Sequence, residues 1–203
     1  MKESTKVTNK VIKFGRFRWV AAGAIFAFIV ALCFVSPSPD GEHVFENNFM
    51  AFEDNISEEL DLMLSTRGAG DNDETHNSLR MIREGMEHYN NKEYDKAIPI
   101  FQEYLEKNQD ASDYNQIKFY LAVSFLSQGE SARSVRMFEE LVQDTQSELK
   151  EDSKWYLSLA YTRTGKVDEA KAQLQELASS QKYGSKVEKI LDPTKSKTKV
   201  AFR

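Results

Sequence analysis

From residue 78 onward, apolar and small residues recur in a fixed pattern. Gly85, Ala97 and Phe101 stand twelve and four residues apart, and the triplets Ala122, Ser134, Phe138 and Ser158, Ala170, Leu174 keep the same intervals. Three residues after each leading small residue comes a ring, at His88, Phe125 or Tyr161. Seven residues after it comes a turn position, at Lys92, Gly129 or Gly165. The copies are offset by 37 and 36 residues. Spacings of three and four are those of one face of a helix, and the turn position divides each copy into a helical hairpin. A lone hairpin cannot cover its own apolar stripe, so the copies must stack and the ends need caps. Ser185-Lys186-Val187-Glu188 reads as a capping box opening a short last helix, with Val187, Ile190 and Leu191 to cover the third hairpin. Asp113 with Gln116 reads as the same device at the start of the second.

A second pattern lies near the amino terminus. Trp19 to Val35 is seventeen residues without a charge or a strongly polar group. At ~1.5 Å per residue it spans about 26 Å as a helix, enough for a short membrane crossing. Before it, residues 1–18 hold six basic side chains against Glu3 alone. Basic flanks stay in the cytoplasm, which predicts that residues 36–203 lie outside it. The exit Cys33-Phe34-Val35-Ser36-Pro37 is bulky where signal peptidase needs small residues, so the segment reads as an anchor and not as a cleaved leader. Leu32 before Cys33 argues likewise against a lipid attachment site.

Residues 36–77 form a linker with eleven acids against Arg67, while residues 78–203 carry twenty charges of each sign. The overall net charge of −5 is therefore a property of the linker, and nothing reads as a nucleic-acid surface. The prolines of Ser36 to Asp40 stop the membrane helix. Arg67 to Asp73, rich in Gly, Asp and Asn, is a second breaker. Between them Phe45, Phe49 and Phe52 follow an i, i+4, i+7 pattern that predicts one face of a helix, with Ile56, Leu60, Leu62, Met63 and Leu64 continuing the ordered stretch. Three uses of the rings stand open: a cap on the first repeat, a contact with the bilayer, or a docking segment. The acids Glu42, Glu46, Glu53 and Asp54 weigh against anionic lipid.

The repeated unit resembles the tetratricopeptide repeat family, most closely in Tyr89 to Leu105 (YNNKEYDKAIPIFQEYL) and Leu159 to Leu177 (LAYTRTGKVDEAKAQLQEL). The period exceeds the family's ~34 residues, and Ser134 replaces the usual alanine. The resemblance implies an α-solenoid of about three hairpins with a C-terminal capping helix (78–191), and with the apolar run it makes the chain all-α: an N-terminal transmembrane helix (19–35), the solenoid, then a basic tail (192–203). It also implies a partner-binding groove lined by the first helix of each hairpin. By register its residues are Ile82, Met86, Tyr89 and Asn90; Phe119, Val123, Leu126 and Ser127; and Trp155, Leu159, Thr162 and Arg163. Trp, Tyr and Arg are enriched at binding hot spots. Apolar groups at Ile82, Met86 and Phe119 argue against a clamp for a partner's C-terminal carboxylates.

Catalytic chemistry finds little material. His43, His76 and His88 lack ligand spacing, and the one cysteine, Cys33, lies in the apolar run. No glycine-rich phosphate loop or nucleophile elbow is present. Neither an enzyme, a metal nor a cofactor is expected. A basic tail, one anchor and an external array are similar to bacterial envelope members of the family, including accessory subunits of the secretion translocon. That similarity implies a scaffold at the outer face of the inner membrane that binds a protein or peptide. A chaperone-like accessory for exported chains and a transmembrane regulator are the alternatives.

Overall fold

The computed structural model describes residues 39–66, 74–144 and 148–192. The basic tail, the apolar run 19–35, the breaker 67–73 and residues 193–203 lie outside the described residues. Among those described there are nine helices. They are α1 (Pro39–Asn48), α2 (Ser57–Thr66), α3 (Glu74–Asn90), α4 (Tyr94–Lys107), α5 (Tyr114–Ser127), α6 (Ser131–Gln143), α7 (Lys150–Arg163), α8 (Val167–Glu176) and α9 (Gly184–Leu191). None of them is long and apolar enough to cross a membrane.

Helices α3 to α8 form three hairpins, each helix packing on the next in chain order. The turns have one chemistry. Lys92, Gly129 and Gly165 adopt φ of 60°, 82° and 73°, the left-handed region that ends a helix. The following amide then bonds back across the turn, from Glu93 N to His88 O, from Glu130 N to Phe125 O and from Lys166 N to Tyr161 O, each at 2.9 Å. The ring positions of the repeat are thus the carbonyl positions that close its turns. At Lys92 a side chain tolerates a conformation that costs a non-glycine residue about 1 kcal/mol.

The small residues sit where the hairpins close. A Cβ added to Gly85 would lie 2.5 Å from Cε1 of Phe101. Ser134, where alanine is usual, donates its hydroxyl to Ala122 O at 2.9 Å, so its extra atom serves the same helix pair.

Two expectations about helix starts fail. Asp113 precedes α5 but makes no side-chain cap bond, because its carboxylate accepts from Tyr104 Oη at 2.6 Å. Ser185 lies inside α9, whose N-cap is Tyr183 without a side-chain bond. The serine that serves this turn is Ser180, whose Oγ accepts from the amides of Lys182 and Tyr183. At Asp113 a partner outside the helix takes the carboxylate that local spacing assigned to the cap, and at Ser185 the helix has already begun.

The linker also departs from its expected helix. Helix α1 opens on Pro39, whose fixed φ and missing amide suit a first position. It stops at Asn48, with Asn47 and Asn48 side chains bonded back to His43 O and Val44 O. Residues 49–55 are non-helical. Asp54 Oδ1 then accepts from the amides of Ile56 and Ser57, which starts α2. Helix α1 packs on α7 and α2 packs on α3, so the linker runs opposite to the order of the repeats. The first hairpin is capped by α2 and the residue before it, through buried Leu60 and Ile56, and not by the phenylalanines.

Candidate partner groove

Helices α5 and α7 are buried over eight consecutive residues each, Phe119 to Leu126 and Trp155 to Thr162. A helix buried on every side needs a cover on every side. Neighbouring hairpins cover the flanks, and residues 45–55 run across the remaining face of α3, α5 and α7.

The cover is held through its backbone. Tyr156 Oη donates to Met50 O at 2.7 Å and Tyr89 Oη to Phe52 O at 2.9 Å. Tyr120 Oη donates to Asn55 Oδ1 at 2.7 Å and accepts the Asn55 amide at 3.2 Å. One tyrosine from the first helix of each hairpin therefore reads the extended segment. Burial raises the pKa of all three phenols above the ordinary tyrosine value, so they stay protonated as donors.

Side chains add a second layer. Phe52 meets Phe119, Tyr120 and Tyr156 edge-on, with centroids at 4.8, 6.0 and 6.3 Å. Such pairs are worth ~0.5–1.5 kcal/mol each beyond buried area. Phe49 stacks on Phe45 at 4.7 Å and meets Tyr156 at 6.1 Å. Arg163 lies over the Phe45 ring at 4.4 Å, pairs with Glu42 at 3.2 Å and donates to Leu126 O at 3.0 Å. Lys182 Nζ stands 5.1 Å from the Phe52 ring. Asn90 donates to Asp54 Oδ2 at 2.5 Å. Burial works to raise the Asp54 pKa, but bonds from Ser57, Asn90 and the amides of Ile56 and Ser57 outweigh it and hold the group below its usual value.

Of the residues placed in the groove by register, Tyr89, Asn90, Phe119 and Arg163 meet the linker. Met86, Val123, Leu126 and Leu159 are at most 1% exposed and offer no side-chain surface while it is docked. Ser127 bonds to Val123 O and Thr162 to Leu159 O. Ile82 lines a different cleft of 590 Å³ with Ile56, Leu60, Met63 and Leu79. Trp155 stacks on Tyr183 at 4.8 Å and 14°, beneath Lys186, so its ring serves the C-terminal cap.

Tyr120 and Tyr156, the central readers, escape a register drawn from the family's groove positions. Their signal was present: both stand two residues before the small packing residue, Ala122 or Ser158, 36 residues apart. No set of three or more His, Cys, Asp or Glu among the described residues could hold a metal ion.

A family model described as Tetratrico peptide repeat matches residues 78–183, just over half of the 203-residue chain. The match runs from α3 to Tyr183 and leaves out the linker. No curated protein matches the chain.

Proposed function

The chain belongs to the tetratricopeptide repeat family, and from that premise we propose that it is a membrane-anchored protein-interaction scaffold. Residues 19–35 would span a bacterial inner membrane, residues 1–18 would stay in the cytoplasm, and the repeats would work on the outer side. The observation that carries the interaction reading is the extended segment Phe49 to Asn55 lying across α3, α5 and α7. A face that holds one peptide by its carbonyls has the chemistry to hold another. The anchor rests on the length and apolarity of residues 19–35, and the orientation on the basic excess before them.

Topology and capture test the two parts separately. A reporter fused after Arg203 should be active only outside the cytoplasm, and alkaline carbonate should leave the chain in the membrane. Activity in the cytoplasm alone would refute the orientation, and release by carbonate would refute the anchor. A photo-crosslinker replacing exposed Asn90 should capture a discrete protein in intact cells, while one replacing exposed Lys171 on α8 should not. Equal capture from both positions would refute the groove.

A further inference from the structure

We propose that the linker is a displaceable internal ligand, and that the partner presents an extended peptide of the same chemistry: two aromatic side chains three residues apart, then a carboxylate and an amide. This rests on reading the face of α3, α5 and α7 as a peptide groove.

Each part of the pattern comes from a contact. The rings of Phe49 and Phe52 are the side chains that the groove grips, and both remain only partly buried. Met50 between them is 69% exposed, so only its carbonyl is read. Asp54 is met by the amide of Asn90, and Asn55 by Tyr120 and by Gln116 at 3.3 Å. The cations Arg163 and Lys182 flank the aromatic part and suit an acidic peptide. The three hydroxyl bonds go to backbone or amide oxygens, which any extended chain of this pattern supplies.

The seat also permits release. Segment 42–55 is tied to the repeats by hydroxyl and amide bonds, one of them to the Asp54 carboxylate, by rings, and by one half-buried ion pair, Glu42–Arg163. Removing it leaves phenols, an amide and a guanidinium that water can satisfy. The next anchor along the chain is independent, since Ile56 and Leu60 are buried against the first hairpin and Arg83 pairs with Asp61 at 2.5 Å. A tethered competitor lowers the affinity of an added peptide by the fraction of time that the groove is open.

The test uses the purified full-length chain and a labelled peptide of residues 46–56, with binding read by fluorescence anisotropy. Replacing both linker rings (Phe49→Ala with Phe52→Ala) in the chain should tighten binding of the added peptide by about tenfold or more over the unaltered chain. A peptide carrying the same two substitutions should not bind. Circular dichroism confirms that the variant is folded. If it is not, Phe49→Ala alone carries the comparison, since that ring touches only Phe45 and Tyr156 among its aromatic neighbours. A folded variant that binds no peptide would show that the segment is a permanent part of the fold, and equal binding to both chains would place the peptide elsewhere. Dimerisation that depends on Phe49 and Phe52 would make a second copy's linker the occupant and overturn the partner assignment. Because only chain and peptide are present, these outcomes do not depend on anchoring or on capture in cells.

Discussion

The hydroxyl of Tyr156 offers the narrowest test of how the linker is held. Tyr156→Phe removes one oxygen and leaves the ring that Phe49, Phe52, Phe119 and Phe138 pack against. The bond lost is the 2.7 Å donation to Met50 O. A neutral hydrogen bond is worth ~0.5–1.5 kcal/mol net, and the carbonyl of a residue as exposed as Met50 can turn to water, so no orphan penalty is added. The linker's docking constant should therefore fall by roughly two- to twelvefold. Tyr89→Phe removes the bond to Phe52 O and should act in the same range, but the two changes share one segment and need not add. The assay is limited chymotrypsin digestion at low protease, where cleavage at Phe49 and Phe52 follows the open population. Cleavage there should accelerate by that factor, with the melting of the repeat helices shifted little. If cleavage is unchanged, the hydroxyls do not hold the linker. If cleavage rises only in step with a lower melting temperature, the linker and the repeats open as one unit and the reasoning fails.

Three further outcomes are expected. Gly85→Ala sets a methyl group against the Phe101 ring inside the first hairpin and should destabilise the fold by ~1–3 kcal/mol in a denaturant titration. Trp155→Ala removes a ring that is 2% exposed and stacked on Tyr183, which should cost ~3–5 kcal/mol while leaving peptide capture by the folded fraction unchanged. Burial raises the pKa of Tyr89, Tyr120 and Tyr156, so the folded state favours the protonated phenols. Their contribution is complete below the ordinary tyrosine value of 10.0 and is lost as the pH rises above it. Tyrosinate absorbance of the buried phenols should thus appear together with loss of helical ellipticity, and early ionisation without unfolding would contradict their burial.

The hairpins were legible because their determinants are local. A small residue, a ring three later and a turn residue seven later fix where each first helix is close-packed, where its turn bond ends and where its backbone turns left-handed. Those relations survive in three copies with different side chains, down to Lys92 standing where the others have glycine. The caps at Asp113 and Ser185 misled for the opposite reason. A capping box is a local pattern, but Tyr104 reaches Asp113 from another helix, and Ser180 already serves the turn before α9. Phe45, Phe49 and Phe52 misled in the same way: their spacing fits a helix, yet the chain leaves the helix at Asn48, where the tyrosines offer bonds to an extended backbone.

What local spacing could not supply, composition along one helix did hold. Phe119-Tyr120-Leu121-Ala122-Val123-Ser124-Phe125-Leu126 has no polar face, and Trp155 to Thr162 is nearly as apolar. A helix at the edge of an array, with a groove open to water, should show polar residues on that side. Their absence from two successive first helices means that the groove is covered in the resting chain, and the aromatic linker is the segment with rings to cover it. Within these two runs the polar atoms that meet the cover are the phenol hydroxyls of Tyr120 and Tyr156, which bond to it when it is on and to water when it is off. An array built only to stack would place apolar groups there and lose nothing. Three buried hydroxyls aimed at one non-helical segment suit the proposed exchange of that segment for a partner's peptide.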